Sequence, residues 1–211
     1  MKTLHEFKQK VGEKEYTIKL KQMSRRDRED LAIFYSAEYG KALAKGLAPH
    51  LVLRKNVIDS GGLFSQKDIE RMEEISRAIV TKSNEFQNLE LEKQESSEVR
   101  KEIEDLWSEY QEYEKVTAML YSRSAEYEAE KNTVTYATLN FTYLDDAGQE
   151  KELFPGSTND SRLNFYYECV ENEGGKELEV EVFNKAFLCY HLVIKNSEPI
   201  TAGEFEAITG S

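Results

Sequence analysis

"RKEIEDLWSEYQEYEKV", Arg100–Val116, sets the shape of this chain. Ile103, Leu106, Tyr110 and Tyr113 alternate at spacings of three and four, the pattern of a helix with one apolar stripe. The rhythm runs from Val99 through Thr117, Leu120 and Ser124 to Tyr127, so one helix is predicted over about Val99 to Tyr127. Upstream, "GGLFSQKDIERMEEI" marks the start of a second helix. Ser65 is placed to cap it with Asp68 three residues on, and Phe64 and Ile69 can close over the cap as a hydrophobic staple. Met72, Ile75, Ile79, Phe86 and Leu89 continue its stripe, with Lys82 at one seam position, until the polar "QESSE" interrupts. Two helices of similar length joined by a short polar break are expected to fold back as an antiparallel hairpin over residues 63–131. At about 1.5 Å per residue the arm reaches roughly 40–45 Å.

The aromatic residues on this arm allow two readings. Tyr110 and Tyr113 occupy seam positions, and Trp107 beside Leu106 broadens the stripe. Tyrosine buries a large ring while its hydroxyl stays wet, which suits a two-helix seam with no third layer above it. Trp and Tyr are also frequent anchors of protein interfaces, so the same face can dock on a partner or on another copy.

Outward from the arm, the N-terminal part reads as a β-hairpin followed by two helices. Tyr16, Ile18 and Leu20 alternate with polar residues after a turn at Gly12. Ser24 and Asp27 form a capping-box pattern for a helix through Leu31, Phe34, Tyr35, Ala42 and Leu43, stopping at Gly46. A shorter helix follows Pro49 and ends at Gly61-Gly62. Beyond the arm, Leu139, Phe141 and Tyr143 alternate before a turn at Asp145–Gly148, predicting a second β-hairpin, although Thr133 is also placed to cap a helix up to Leu144. Two C-terminal helices show apolar faces at Leu163, Tyr166, Tyr167 and Val170, and at Val182, Phe183, Ala186, Phe187, Tyr190 and Val193, with Gly174-Gly175 between them. The tail from Ser197 reads as loosely held. The expected fold is therefore mainly α with small β parts. Its segments are residues 1–62 (N-terminal hairpin and two helices), 63–131 (arm), 132–196 (β-hairpin and helices packing with the N-terminal part) and 197–211 (tail).

Charge is uneven along the 211 residues, whose net charge is −12. Residues 1–61 hold 13 Lys/Arg against 8 Asp/Glu, whereas residues 62–211 hold 15 against 32. An acidic body disfavours nucleic acid, because phosphate binding draws its affinity from Lys and Arg. The basic N-terminal part, with Arg25, Arg26, Arg54 and Lys55, is suited to an acidic partner or to another copy's acidic body, in a head-to-tail association. Trp107, Tyr110 and Tyr113 are the matching candidates on the arm. No apolar run approaches the ~20 residues of a membrane-spanning helix. The N-terminal stretch lacks the apolar core of a signal peptide, so residence in a cytoplasm after synthesis is expected.

Nothing in the sequence points to a reaction. His5, His50 and His191 fall in different elements without metal-ligand spacing, and no cofactor or metal is expected. No phosphate-binding loop or nucleophile elbow occurs. The carboxylates of "DDAG" sit in a polar turn, and pairs such as Glu73-Glu74 belong to a solvated helix face. Cys169 and Cys189 are read as buried free thiols, and the sequons at Asn140 and Asn159 as chance matches.

The stretch "FYSAEYGKALAKGLAPHLVLRKNVIDSGGLFSQKDIERM" resembles a group of structural or morphogenesis proteins of large tailed bacteriophages. In that group a short hairpin leads to a helix ending in Gly-Leu and a lysine-bearing helix closed by Gly-Gly. An acidic helical hairpin, a Thr-containing segment and F-x-Y-L follow. The matching residues are Gly46-Leu47, Arg54-Lys55, Asp59, Gly61-Gly62, Asn132-Thr133 and Phe141-Thr142-Tyr143-Leu144, covering about two-thirds of the chain. The last third does not match. The resemblance implies a virion component or assembly factor made in bacterial cytoplasm and acting in many copies. The expectation is a non-enzymatic structural protein contacting other virion proteins or copies of itself. The alternative is a tail-assembly chaperone absent from the mature particle.

Overall fold

A computed structural model describes residues 2–61, 64–91, 95–146, 148–171, 177–196 and 200–210. The chain divides into two compact units, Met1–Glu38 with Ala129–Ser211, and Tyr39–Glu128. It is mainly helical with a small sheet, as expected. The unit boundaries differ from the expected segments. Residues 39–62, placed with the N-terminal part on sequence grounds, group instead with the arm.

In the first unit, β1 (Thr3–Val11), β2 (Lys14–Lys21), β3 (Thr142–Asp146) and β4 (Gln149–Glu152) form one antiparallel sheet in that order. The two expected hairpins are therefore joined, with Ile18 opposite Leu144 and Leu20 opposite Thr142. Because side chains alternate across a strand, Phe7, Ile18 and Leu20 share one face. That face belongs to a core with Val182, Phe183, Ala186, Cys189 and Tyr190 of α7 (Glu177–Asn196). Tyr190 is fully buried, and its hydroxyl accepts the Lys21 N–H at 3.1 Å and donates to the Phe141 carbonyl at 2.7 Å. One side chain thus ties the end of β2 to the residue just before β3. The opposite face carries charge: Lys19 meets Asp145 at 2.5 Å, and Lys21 meets Glu150 at 2.6 Å.

α1 (Arg25–Ala44) begins with the expected box, the Asp27 carboxylate accepting the Ser24 N–H at 2.7 Å and the Ser24 Oγ accepting the Asp27 N–H at 3.2 Å. It stops at Gly46, whose φ of 88° is one that other residues rarely adopt.

The ambiguous segment after the arm is helix first and strand second: α5 spans Ala125–Phe141 and β3 starts at Thr142. Leu139 and Phe141 are thus helical, not strand residues. The Thr133 and Thr138 hydroxyls donate to the carbonyls of Ala129 and Val134, which satisfies β-favouring residues inside a buried helix. Thr133 lies mid-helix, and the cap is Ser124, whose Oγ accepts the Tyr127 N–H at 3.1 Å.

α6 (Asn159–Glu171) sets Tyr166 against Phe183, with ring centroids 3.9 Å apart, but leaves Tyr167 and Val170 exposed. The described part of the tail, residues 200–210, is docked where a loose tail was expected. Thr201 and Glu204 cap α8 (Ala202–Thr209), and Phe205 stacks on His5 at 4.2 Å. Both cysteines are buried and outside any disulfide, and burial pushes the Cys189 thiol up to about 12. The expected helix stop at Gly62, the break at Gln94 and the Gly174-Gly175 linker lie outside the described residues.

Candidate functional site

The second unit is built on α3 (Gln66–Leu91) and α4 (Ser97–Tyr121). α3 starts where the sequence placed it, with the Asp68 carboxylate accepting both the N–H and the O–H of Ser65 at 2.6 Å. Those bonds hold the Asp68 carboxyl below its ordinary range. Phe64, just before the cap, is buried with its ring edge toward Tyr113, centroids 6.5 Å apart. Moving forward along α3 from Arg71 to Lys82 moves backward along α4 from Glu109 to Glu102, so the helices run antiparallel. The Arg71 guanidinium grips Glu109 with two bonds, at 2.8 and 3.0 Å, and Lys82 reaches Glu102 at 2.7 Å. Arg71 accordingly keeps its proton more firmly, and Glu109 is held below the usual carboxylate range. With 26 and 25 residues, the helices extend just under 40 Å at about 1.5 Å per residue.

α4 is shorter than predicted. It ends at Tyr121, and Ser124 and Tyr127, read as seam residues, are the cap and first turn of α5. The serines of "YSRS" make the break, because the Ser122 and Ser124 hydroxyls bond back to the carbonyls of Met119 and Tyr121.

A third helix accompanies the pair. α2 (His50–Asp59) packs against α4, where the sequence reading placed no further layer. Its first N–H, from His50, donates to the Glu126 carboxylate at 2.8 Å, and the Ala125 N–H donates to the Ala48 carbonyl at 3.0 Å. The acidic group at the helix start replaces the side-chain cap that Pro49 lacks. Although α2 holds Leu51, Val52, Leu53, Val57 and Ile58, none of its residues is buried, and Leu51 is 75% exposed.

Arg54 lies between two shallow hollows. One, about 390 Å³, is lined by Ile69, Met72 and Tyr110, and the other, about 530 Å³, by Leu51, Lys55 and Ile58. The structure therefore brings three of the expected contact residues, Arg54, Lys55 and Tyr110, onto one surface. Trp107 adjoins them, its ring edge-on to Tyr110 at 5.8 Å and 45% exposed. Neither Arg54 nor Lys55 makes an ion pair among the described residues. Tyr113 is taken up by Phe64. Arg25 and Arg26 belong to the first unit, at the start of α1, where Arg25 pairs with Glu29 at 3.0 Å. Cations without an ion pair among the described residues, exposed aliphatics and an exposed aromatic ring thus lie together on this surface.

A separate cavity of about 560 Å³ lies within the first unit. Leu4, Met23, Leu31, Val193 and Ile194 form its apolar wall, and Arg28 and Gln22 add polar groups. It draws on β1, the β2–α1 junction, α1, α5 and α7, so no local pattern announces it. Among the described residues no group of three or more His, Cys, Asp or Glu is disposed to hold a metal, and no helix is long and apolar enough to cross a membrane. Set against known protein families, curated proteins and solved structures, the chain matches none.

Proposed function

We propose that the chain is a non-enzymatic structural component of a tailed-phage particle, made in the host cytoplasm and working through protein–protein contacts in a multi-subunit assembly. The observation that carries the proposal is the surface formed by α2 and α4. A helix with five aliphatic residues and none buried, two free cations and a half-exposed tryptophan have the composition of a contact patch, rich in Arg and aromatics. In this reading Trp107 and Tyr110 anchor the partner, Arg54 and Lys55 pair with its carboxylates, and the ion-paired hairpin is the rigid support. The acidic net charge turns the chain toward proteins and away from nucleic acid. The phage setting comes from the resemblance carried by residues 34–72 and by Phe141–Leu144.

Mass spectrometry of particles purified from infected cells tests it. The chain is expected in stoichiometric amount; its absence from particles but presence in the lysate rejects the structural reading. One observation favours a second reading, a tail-assembly chaperone: an apolar cavity of about 560 Å³ can hold an apolar segment transiently. That reading predicts presence in the lysate alone.

A further inference from the structure

We infer that the cavity of the first unit receives the tip of the helical arm of a second copy, Leu91 entering the apolar wall while Glu90 meets Arg28. This rests on the assembly role proposed above and adds a partner and a seat to it.

Knob and seat are present on the same chain. Leu91, at the end of α3, is 82% exposed, the highest value among the exposed large apolar side chains. Around it the described residues are acidic, with Glu90 before it and Glu95 and Glu98 at the start of the returning helix. The cavity has the opposite character. Its wall is apolar, and its one cation, Arg28, is exposed and makes no ion pair among the described residues. Arg26, also without an ion pair, lies two residues away, and the carboxylates flanking Arg28 in sequence are Asp27 and Glu29, of which Asp27 is engaged by Ser24 and Glu29 by Arg25. The volume of about 560 Å³ exceeds that of one leucine side chain. Like the charge asymmetry along the chain, this pairing joins unlike surfaces, and such contacts build rings or filaments of many copies.

Two full-length variants, Ala32→Cys on the cavity wall and Leu91→Cys on the arm, test the contact by mixing. Both positions are exposed, so neither change disturbs packing, and the native thiols are buried. Under mild oxidation the mixture should give an interchain disulfide joining one variant to the other, at least tenfold more than either variant alone. Charge reversal provides a second readout in sedimentation velocity. Arg28→Glu and Glu90→Arg should each weaken self-association at least tenfold, and mixing the two should restore it. A chain that self-associates without the mixed disulfide overturns this inference and leaves the assembly role standing on another surface. A chain that stays monomeric up to millimolar concentration also overturns it, and the particle mass spectrometry then decides the assembly role separately.

Discussion

The first unit encloses a broad apolar core, whereas the second displays much of its apolar surface. Around the sheet, Ile18, Leu20, Leu139, Phe154 and Tyr190 have essentially no access to solvent. Along α3 and α4 the buried residues among those described are Ile75, Ile79 and Val99, and α2 has none. The cause is geometric. A sheet covered by helices removes whole side chains from water, but two helices side by side can shield only the stripe between them. A segment that left so much apolar surface wet would be a poor folding core. In the reading proposed above it is instead a stiff support, clamped by Arg71–Glu109 and Lys82–Glu102, for that displayed surface.

The largest effect is expected where enclosure is greatest. Tyr190→Ala removes a fully buried ring together with its bonds to Lys21 and Phe141, and should cost about 3–5 kcal/mol. Hydrogen exchange sharpens the contrast: β2 and α7 should lose protection while α3 and α4 keep theirs. Equal loss in the helical arm would mean that the two units unfold as one, and the comparison would fail. Leu106→Ala makes the reciprocal test. Leu106 is a half-buried seam residue, so the cost should fall near the lower end of the range for such truncations, about 2 kcal/mol, with lost protection confined to α3 and α4. A cost above that of Tyr190→Ala would show a seam far better packed than its exposure indicates.

Acid should act on both units through their ion pairs. The Lys19 ammonium beside Asp145, the Lys21 ammonium beside Glu150 and the Arg71 guanidinium beside Glu109 each hold the carboxyl below its ordinary range. A carboxyl whose pKa is lower folded than unfolded stabilises the fold above the unfolded value, roughly 3.9–4.3, and that stability is lost as pH falls through the folded value. Chemical-denaturation midpoints should therefore drop between about pH 5 and pH 2. Asp145→Asn should make the drop shallower for the sheet-bearing unit, and an unchanged slope would remove this pair from the account. The effect should be smaller than either truncation, because Glu150 and Glu109 remain about 40% exposed and solvent screens their pairs.

How much of this was readable beforehand depends on the distance over which each contact acts. The α3 cap at Ser65 and Asp68, the Gly46 stop and the hairpin turns at Gly12 and Gly148 are set by neighbours within a few residues, and the sequence announces them. The seam was legible because helical periodicity repeats. The pairing of β2 with β3 was not, since its partners, such as Ile18 and Leu144, lie far apart in the chain and no local pattern joins them. The end of α4 was missed for another reason: Ser124 and Tyr127 keep the apolar spacing although their hydroxyls and amides serve a cap. At the candidate site, Arg54, Lys55, Tyr110 and Trp107 were legible as residue types. That Arg54 and Tyr110 share a hollow, whereas Arg25 and Arg26 lie in the other unit, depended on where α2 packs.

The smallest change in stability carries the sharpest test of what the arm is for. Trp107 is 45% exposed and touches Tyr110 edge-on, so Trp107→Ala deletes little enclosed area, and its effect on the unfolding midpoint should stay within about 0.5 kcal/mol. Binding should respond differently. An anchor that is half-exposed in the free chain gains its burial only in the complex, where its loss commonly costs about 2 kcal/mol or more, a change of at least tenfold in affinity. Pull-down of particle proteins with wild-type and variant chains, read beside thermal melts of the same preparations, separates the two quantities. A variant that binds as well as wild type but melts far lower would make Trp107 an ordinary packing residue. The contrast between an enclosing unit and a displaying one would then lose its functional meaning, because the ring would be holding the arm together and presenting nothing.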